Sequence, residues 1–146
     1  MAQQLNASIL IVDDEEQFLE MLSKRLQARG LRIDSSTHGA DALRKINEKD
    51  FDAIVLDLSM PGMDGMEVLQ RIKHDNPELQ VIILTGHATL EKSVEAMKGG
   101  AVDFMEKPVD MNLLLEKIGG AKNKKAVIVD EKLRQKIQGI IETRGW

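Results

Sequence analysis

The stretch SILIVDDEE, residues 8–16, joins a run of apolar residues to four consecutive carboxylates. The run is rich in β-branched residues and almost continuously apolar, which is typical of a strand that is covered on both faces. Two later stretches follow the same plan, AIVLD at residues 53–57 and VIILTG at residues 81–86. Because strands covered on both faces belong to parallel sheets, residues 8–16 predict the first strand of an α/β domain.

Five strands are predicted in all, and they alternate with segments of helical periodicity. The strands are predicted at Ser8–Val12, Leu31–Ile33, Ala53–Leu56, Gln80–Leu84 and Val102–Met105. Apolar residues recur between them at helical spacing, as in Phe18, Leu22 and Leu26. Gly30 and the pair at 99–100 favour helix ends at those positions. A (βα)₅ alternation implies a parallel sheet with helices on both faces.

The composition is that of a soluble globular chain of one domain with a short appendage. The 146 residues are 42% hydrophobic and 30% charged, which argues against disorder and collagen-like repeats. With no cysteine, the chain can hold no disulfide, zinc–thiolate cluster or thiol nucleophile. It has no apolar run of about 18 residues and no leader-like pattern at its start, so we expect a cytoplasmic location.

Charge is distributed unevenly along the chain. Residues 1–121 carry a net charge of −8 and residues 122–146 a net charge of +4. An acidic domain lacks the positive face that binding to a nucleic-acid backbone requires. The four aromatic residues are too few for a base-stacking platform. We therefore expect no direct binding of nucleic acid and no insertion into a membrane.

The last 25 residues are predicted to be distinct from the domain at 1–121. The segment AKNKK, residues 121–125, is small, polar and basic, which favours a linker. Asp130 is predicted to cap a tail helix that Gly145 ends. Its apolar face carries Leu133, Ile137, Ile140 and Ile141. This basic, amphipathic tail at 122–146 could pack on its own domain, pair with a second copy or contact another partner.

Polar residues follow four of the predicted strands: Asp13 and Asp14, Asp57, Thr85, and Lys107. In a doubly wound sheet, ligands bind beyond the carboxyl ends of the strands. Each residue alone has an ordinary explanation, because aspartates commonly cap helices or sit in turns and lysines are usually solvated. Their coincidence at four strand ends indicates a site.

Carboxylates in such a cluster raise one another's pKa unless a cation compensates their charge. Oxygen ligands suit Mg²⁺, which also bridges carboxylates and phosphate oxygens. Beside that ion, the Lys107 ammonium and the Thr85 hydroxyl suit an incoming phosphoryl group. A carboxylate in this setting can act as a nucleophile. The chemistry predicted is in-line attack by an Asp57 oxygen, with positioning and electrostatics supplying most of the catalysis.

The chain resembles a response-regulator receiver domain of bacterial two-component signalling from about residue 8 to residue 118. The matching motifs are ILIVDDEE, IVLDLSMPGMDGMEVL, VIILTGHAT and GAVDFMEKP, in the family's order and spacing. The resemblance implies a flavodoxin-like doubly wound (βα)₅ fold with strand order 2-1-3-4-5. It also implies that Asp57 is the phosphoacceptor and that Asp13 and Asp14 hold Mg²⁺ with it. The backbone carbonyl of Ser59 would be a further metal ligand.

The resemblance also implies a set of switch and phosphate-binding residues. Thr85 would bind a phosphoryl oxygen and Lys107 would pair with the phosphate, with a cis peptide bond before Pro108. Phe104 would swing inward as Thr85 moves; the family often has tyrosine there, so packing replaces hydroxyl recognition in this chain. His87 is expected at the rim of the site, as a solvated residue rather than a catalytic base.

The function implied is a phosphorylation-activated signalling switch that catalyses only its own phosphorylation and dephosphorylation. A sensor histidine kinase or a histidine phosphotransfer protein would supply the phosphoryl group. The fourth helix, fifth strand and fifth helix, roughly residues 89–99 and 103–118, would form the surface that binds a downstream protein. A homodimer is a further possibility.

Three other functions are compatible with parts of the sequence. The stretch GHATLEKSVEAMKGGAVDFMEKP, residues 86–108, is similar to receivers that precede an ATPase and a DNA-binding region in transcriptional activators. A capped tail helix ending in Trp146 favours a stand-alone receiver instead. A flavin or nucleotide binder would need a phosphate loop after the first strand, where this chain has four carboxylates. A hydrolase would need a second acid; Asp64 is better explained as a loop or cap residue.

Overall fold

The structure is a computed structural model that describes residues 6–58, 64–86 and 90–144. Five strands and five helices alternate along these residues. The strands are β1 (Ser8–Val12), β2 (Arg32–Ser36), β3 (Ala53–Leu56), β4 (Gln80–Thr85) and β5 (Asp103–Glu106). The helices are α1 (Glu16–Gln27), α2 (Gly39–Glu48), α3 (Gly65–Asp75), α4 (Leu90–Lys98) and α5 (Met111–Arg144).

The strands form one parallel sheet in the order β2-β1-β3-β4-β5, which confirms the predicted topology. Val12, the last residue of β1, pairs with Ser36 on one side and Leu56 on the other. The carboxyl ends of these three strands therefore lie level at one edge of the sheet, where ligand sites of such sheets are found.

Two apolar layers cover the sheet, and the strand side chains alternate between them. Leu10 and Ile54 lie in the layer that contains Val68 of α3 and Ala96 of α4. A second set lies in the layer that contains α1 and α5: Ile9, Val55, Leu22 and Leu114. All four residues of β3 are buried, which explains why its sequence is continuously apolar rather than alternating.

The edge strands differ from their predicted bounds. β2 runs over Arg32–Ser36 rather than Leu31–Ile33, and β5 over Asp103–Glu106 rather than Val102–Met105. Both lie at the outside of the sheet and are only partly buried. An edge strand carries polar residues such as those of β2, so an apolar run does not mark its bounds.

The prediction of a linker at 121–125 and of a separate helix capped by Asp130 is wrong, because α5 runs without interruption over Met111–Arg144. The segment AKNKK contains alanine and lysine, which are good helix formers, and no proline. Packing of the buried Leu114 and Ile118 outweighs the cost of about 1 kcal/mol for each glycine at 119–120. The predicted helix end at Gly145 lies outside the described residues, and the division at residue 121 stays a prediction.

Lysines on α5 hold its middle part against its own domain. Lys122 donates to the backbone carbonyl of Asn6, and Lys125 donates to Asp50 and to the backbone carbonyl of Phe51. Further along, four apolar side chains are about half exposed and form what we call the tail stripe: Val129, Leu133, Ile137 and Ile140. The first part of α5 therefore packs on the domain, whereas the part that carries the tail stripe leaves apolar side chains exposed.

Although α5 has 34 residues, neither it nor any other helix in the described part of the chain is apolar enough to cross a membrane.

Candidate functional site

Three carboxylates meet at the level edge of the sheet. Asp13 follows β1 directly, Asp14 comes next, and Asp57 follows β3. The strand ladder fixes the two backbones, because Asp13 N–H donates to Ser36 O at 3.1 Å and Asp57 N–H donates to Val12 O at 2.9 Å. One oxygen from each of the three carboxylates lies within 4.8 Å of the other two. The sequence-predicted cluster is therefore assembled.

The cluster is mostly shielded from water. Asp13 is 2% exposed and Asp57 is 4% exposed, whereas Asp14 is more accessible. Burial raises the pKa of Asp13 above its ordinary value, and hydrogen bonds from Lys107 and from the Glu15 N–H oppose that rise without cancelling it. Three carboxylates face one ammonium, that of Lys107, so the site holds more negative charge than this lysine compensates.

Lys107 supplies the cation of the site. Its ammonium lies 2.7 Å from Asp13 Oδ2, 3.2 Å from Glu15 Oε1 and 3.9 Å from Asp57 Oδ2. Burial by itself lowers the pKa of Lys107, but the hydrogen bond to Asp13 and the surrounding carboxylates outweigh it, so the pKa lies above its ordinary value. The lysine is charged and leaves net negative charge around it. Its peptide bond to Pro108 is cis, as the family resemblance implies.

The Lys107 ammonium also lies over the ring of Phe18, 4.1 Å from the ring centroid. Phe18 belongs to the apolar stripe predicted for the first helix, and its ring does pack against the core. Nothing in the spacing of two residues 89 positions apart indicates their contact. Glu15, the second carboxylate partner of Lys107, was likewise not predicted to be a site residue.

Thr85 ends β4, the strand next to β3. It is 1% exposed, and its hydroxyl has no hydrogen-bond partner among the described residues. Its backbone carbonyl accepts from Lys107 N–H at 3.0 Å, which ties the ends of β4 and β5 together. A buried hydroxyl without a partner is costly unless a ligand or water completes it, so Thr85 suits the binding of an oxyanion.

The donor set fits a hard divalent cation. The three carboxylates offer only oxygen ligands, and these oxygens lie within 4.8 Å of one another. Mg²⁺ prefers oxygen ligands. The under-compensated charge around Asp13 adds to that fit. Ser59, the expected source of a carbonyl ligand, lies outside the described residues, as does His87.

The remaining predicted residues, Phe104 and Asp64, make contacts outside the carboxylate cluster. Phe104 on β5 is 36% exposed and lines a shallow apolar groove with residues of α4: Leu90, Val94 and Met97. Asp64 caps α3 by accepting from Met66 N–H at 3.1 Å, as predicted. That capping role explains Asp64 without a part in catalysis.

The fold and the acidic site together define a class of protein, and comparisons with known proteins give the same class. Residues 9–119 match the family described as response regulator receiver domain. The chain is 40% identical over 106 residues to the transcriptional regulatory protein ZraR of Klebsiella oxytoca, covering 73% of this chain and 24% of that protein. It is 36% identical over 131 residues to GlrR of Escherichia coli K12, covering 90% and 30%.

Solved structures are similar over most of the chain. A response regulator receiver domain protein from Clostridium thermocellum has a TM-score of 0.79 and 35% identity, covering 84% of this chain and 98% of that one. The beryllofluoride-activated NtrC4 receiver domain dimer has a TM-score of 0.76 and 37% identity, covering 81% and 98%.

The chain belongs to the response-regulator receiver domains, the phosphorylation-activated switches of two-component signalling. It spans between about a quarter and a third of the length of the curated relatives that it matches.

Proposed function

We propose that Asp57 accepts a phosphoryl group from a sensor histidine kinase or a histidine phosphotransfer protein, in a reaction that requires Mg²⁺. The observation that carries the proposal is the convergence of three carboxylates and one ammonium beyond the carboxyl ends of β1, β3 and β5. Phosphoryl transfer depends more on positioned charges than on covalent intermediates formed by other residues.

An oxygen of Asp57 attacks the phosphorus in line with the bond to the donor imidazole nitrogen. That P–N bond breaks, its electron pair stays on the nitrogen, which takes up a proton, and an acyl phosphate forms on Asp57. The Lys107 ammonium and the Thr85 hydroxyl bind phosphoryl oxygens. Asp13, Asp14, Asp57 and the Ser59 carbonyl would hold Mg²⁺, which would offset the negative charge of the reacting groups. Attack by water on the phosphorus of the acyl phosphate breaks its bond to the Asp57 oxygen, releases inorganic phosphate and restores the carboxylate. The chain would thus catalyse only its own phosphorylation and dephosphorylation.

Intact mass spectrometry after incubation with acetyl phosphate tests the phosphoacceptor. We expect one added phosphoryl group that depends on Mg²⁺ and is absent in Asp57→Asn. Asp64→Asn is the matched control, because asparagine also caps helices and the site is untouched. A wild type that neither gains mass nor forms a beryllofluoride complex would show that the cluster does not work as a phosphoryl site.

The output surface in this proposal is the apolar groove between α4 and β5. A phosphoryl group adds a charge of about −1.5 to −2 at the site, which Thr85 and Phe104 relay by repacking. The chain has no cysteine, so a Met97→Cys thiol is a unique reporter on this groove. We expect its rate of alkylation to change when beryllofluoride and Mg²⁺ are added. An unchanged rate would exclude this groove as the responding surface.

A second copy of the chain is the partner we propose for the tail stripe. The stripe is apolar and about half exposed, and burying it against an identical helix removes it from water. Leu133→Glu combined with Ile137→Glu should shift the protein toward monomer in sedimentation equilibrium, whereas Gln135→Glu should not. Equal molecular masses for the three proteins would contradict pairing through the stripe.

The other partners follow from charge and chemistry. We propose protein contacts rather than nucleic-acid contacts, because residues 1–121 carry a net charge of −8. Retention of a DNA duplex by the chain at low salt would contradict this. A cytoplasmic location belongs to the same proposal, since kinases form their phosphohistidine where ATP is available. Whether the chain acts alone stays a prediction.

A further inference from the structure

The contact between Phe18 and Lys107 has no part in the function proposed so far. A lysine side chain has four flexible methylenes and loses rotamer entropy when it is fixed in one place. Lys107 must be fixed, because a phosphoryl oxygen has to meet its ammonium at a defined point. The ammonium therefore needs a neighbour that holds it throughout the reaction.

The carboxylates around Lys107 change their partners during phosphoryl transfer. In the proposed function Asp13 binds the metal and Asp57 becomes an acyl phosphate, so neither keeps its present contact with the ammonium. Glu15 is 66% exposed at its side chain, and a contact at such a site is weak and screened. None of these three groups can hold the ammonium in every state.

The ring of Phe18 can do so, because it neither binds metal nor changes charge. Its centroid lies 4.1 Å from the Lys107 ammonium, within the distance of a cation–π contact. The ring is held by its packing on the core layer of α1 and α5. Lys107 is only 14% exposed at its side chain, so water competes little with the ring.

We propose that Phe18 is a positioning residue, whose ring holds the Lys107 ammonium in place for the phosphoryl group before, during and after transfer. The inference rests on the proposed phosphorylation of Asp57. Fixing one flexible side chain in advance corresponds to a rate effect of about two- to tenfold.

The kinetic test compares phosphorylation by acetyl phosphate at saturating Mg²⁺ in matched variants. Phe18→Leu keeps an apolar side chain but removes the ring, and we expect the rate to fall about two- to tenfold. Phe18→Tyr keeps the ring and should restore the rate. Phe51→Leu is the same chemical change in the other core layer, and it should leave the rate unchanged. In a Lys107→Met background, Phe18→Leu should have no further effect.

A spectroscopic readout tests the contact without phosphorylation. The ring current of Phe18 should shift the ε-methylene proton resonances of Lys107 upfield in the wild type and in Phe18→Tyr but not in Phe18→Leu. The shift should persist when beryllofluoride and Mg²⁺ are bound.

Different outcomes separate the two proposals. Equal slowing by Phe18→Leu and Phe51→Leu, or an undiminished effect in Lys107→Met, would overturn the positioning role while phosphorylation of Asp57 stands. Loss of the ring-current shift with beryllofluoride would overturn it as well. A wild type that takes up no phosphoryl group refutes the proposed function, and the positioning role with it, even where the ring-current shift is present.

Discussion

Replacing Gly65 by alanine should disrupt both the stability and the activity of the protein. Gly65 opens α3, and a Cβ built on it lies 2.4 Å from Leu58 Cα, 2.5 Å from Asp57 O and 2.8 Å from the Leu58 carbonyl carbon. All three are backbone atoms, so no side-chain rotation relieves the contact. Restoring an ordinary separation of about 3.5 Å requires a backbone shift of about 1 Å.

The shift has two expected costs. Overpacking of this kind destabilises a protein by about 1–3 kcal/mol. For a urea m-value of about 2 kcal/mol/M, 2 kcal/mol lowers the unfolding midpoint by about 1 M. Because the clashing atoms belong to Asp57 and its neighbour, the carboxylate is displaced too, and a misplacement of about 1 Å can slow a reaction about 100-fold.

Urea unfolding and the rate of phosphorylation by acetyl phosphate measure the two effects. Gly120→Ala is the matched control, because nothing lies within 4 Å of its added Cβ. In the helix α5 this control should stabilise the protein by about 0.5–1 kcal/mol and leave the rate unchanged. If Gly65→Ala unfolds at the wild-type urea concentration and reacts at the wild-type rate, the reasoning from the close approach is refuted.

Three further predictions concern pH, metal and α5. A hydrogen bond from Arg44, with help from neighbouring groups, holds the pKa of Asp41 at about 2. The stability that ionised Asp41 contributes should therefore be complete above about pH 4 and disappear as the pH falls toward 2. Urea midpoints of wild type and Asp41→Asn should therefore converge at low pH, and a difference that is constant from pH 7 to pH 2 would contradict this. Mg²⁺ at about 100 times its dissociation constant should raise the free energy of unfolding by about 2.7 kcal/mol, and EDTA should reverse the effect. In Asp13→Asn we expect no change in the free energy of unfolding at the same Mg²⁺ concentration. A change equal to that of the wild type would mean that the ion binds elsewhere. Lys125→Met leaves the backbone carbonyl of Phe51 without its donor and should lower the free energy of unfolding in urea by about 1–2 kcal/mol. Lys136→Met, at an exposed position, should lower it by less than about 0.5 kcal/mol. Equal losses would mean that the Lys125 contacts do not stabilise the fold.

The sequence allowed prediction of the sheet and its acidic edge because both follow from short-range patterns. β1 and β3 are apolar without interruption, and an aspartate follows each of them directly. A parallel sheet places the carboxyl ends of neighbouring strands side by side, so Asp13 and Asp57 had to meet once β1 and β3 were neighbours.

The features that escaped prediction depend on long-range packing. The sequence pattern assigned Phe18 to the core, and only the folded chain shows that its ring also contacts Lys107. The polar segment at 121–125 has the composition of a linker, yet its lysines bond to backbone carbonyls from the segment before β1 and from the segment before β3. Composition cannot indicate such partners, because they lie more than 70 residues away in sequence.

The uninterrupted course of α5 gives the molecule a mechanical property. A helix of 34 residues is about 50 Å long, and the 16 residues from Val129 onward extend about 24 Å. A rod of that length multiplies small changes of angle: a tilt of about 10° at its base moves its far end by about 4 Å. Any change of angle in the half of α5 that packs on the sheet therefore produces a larger displacement at the far end of the helix. The contacts of Lys122 and Lys125 with the domain lie before this projecting part, and Lys132 pairs with Glu78 near its start. These lysines therefore hold the base of the projection, about which its far end would move.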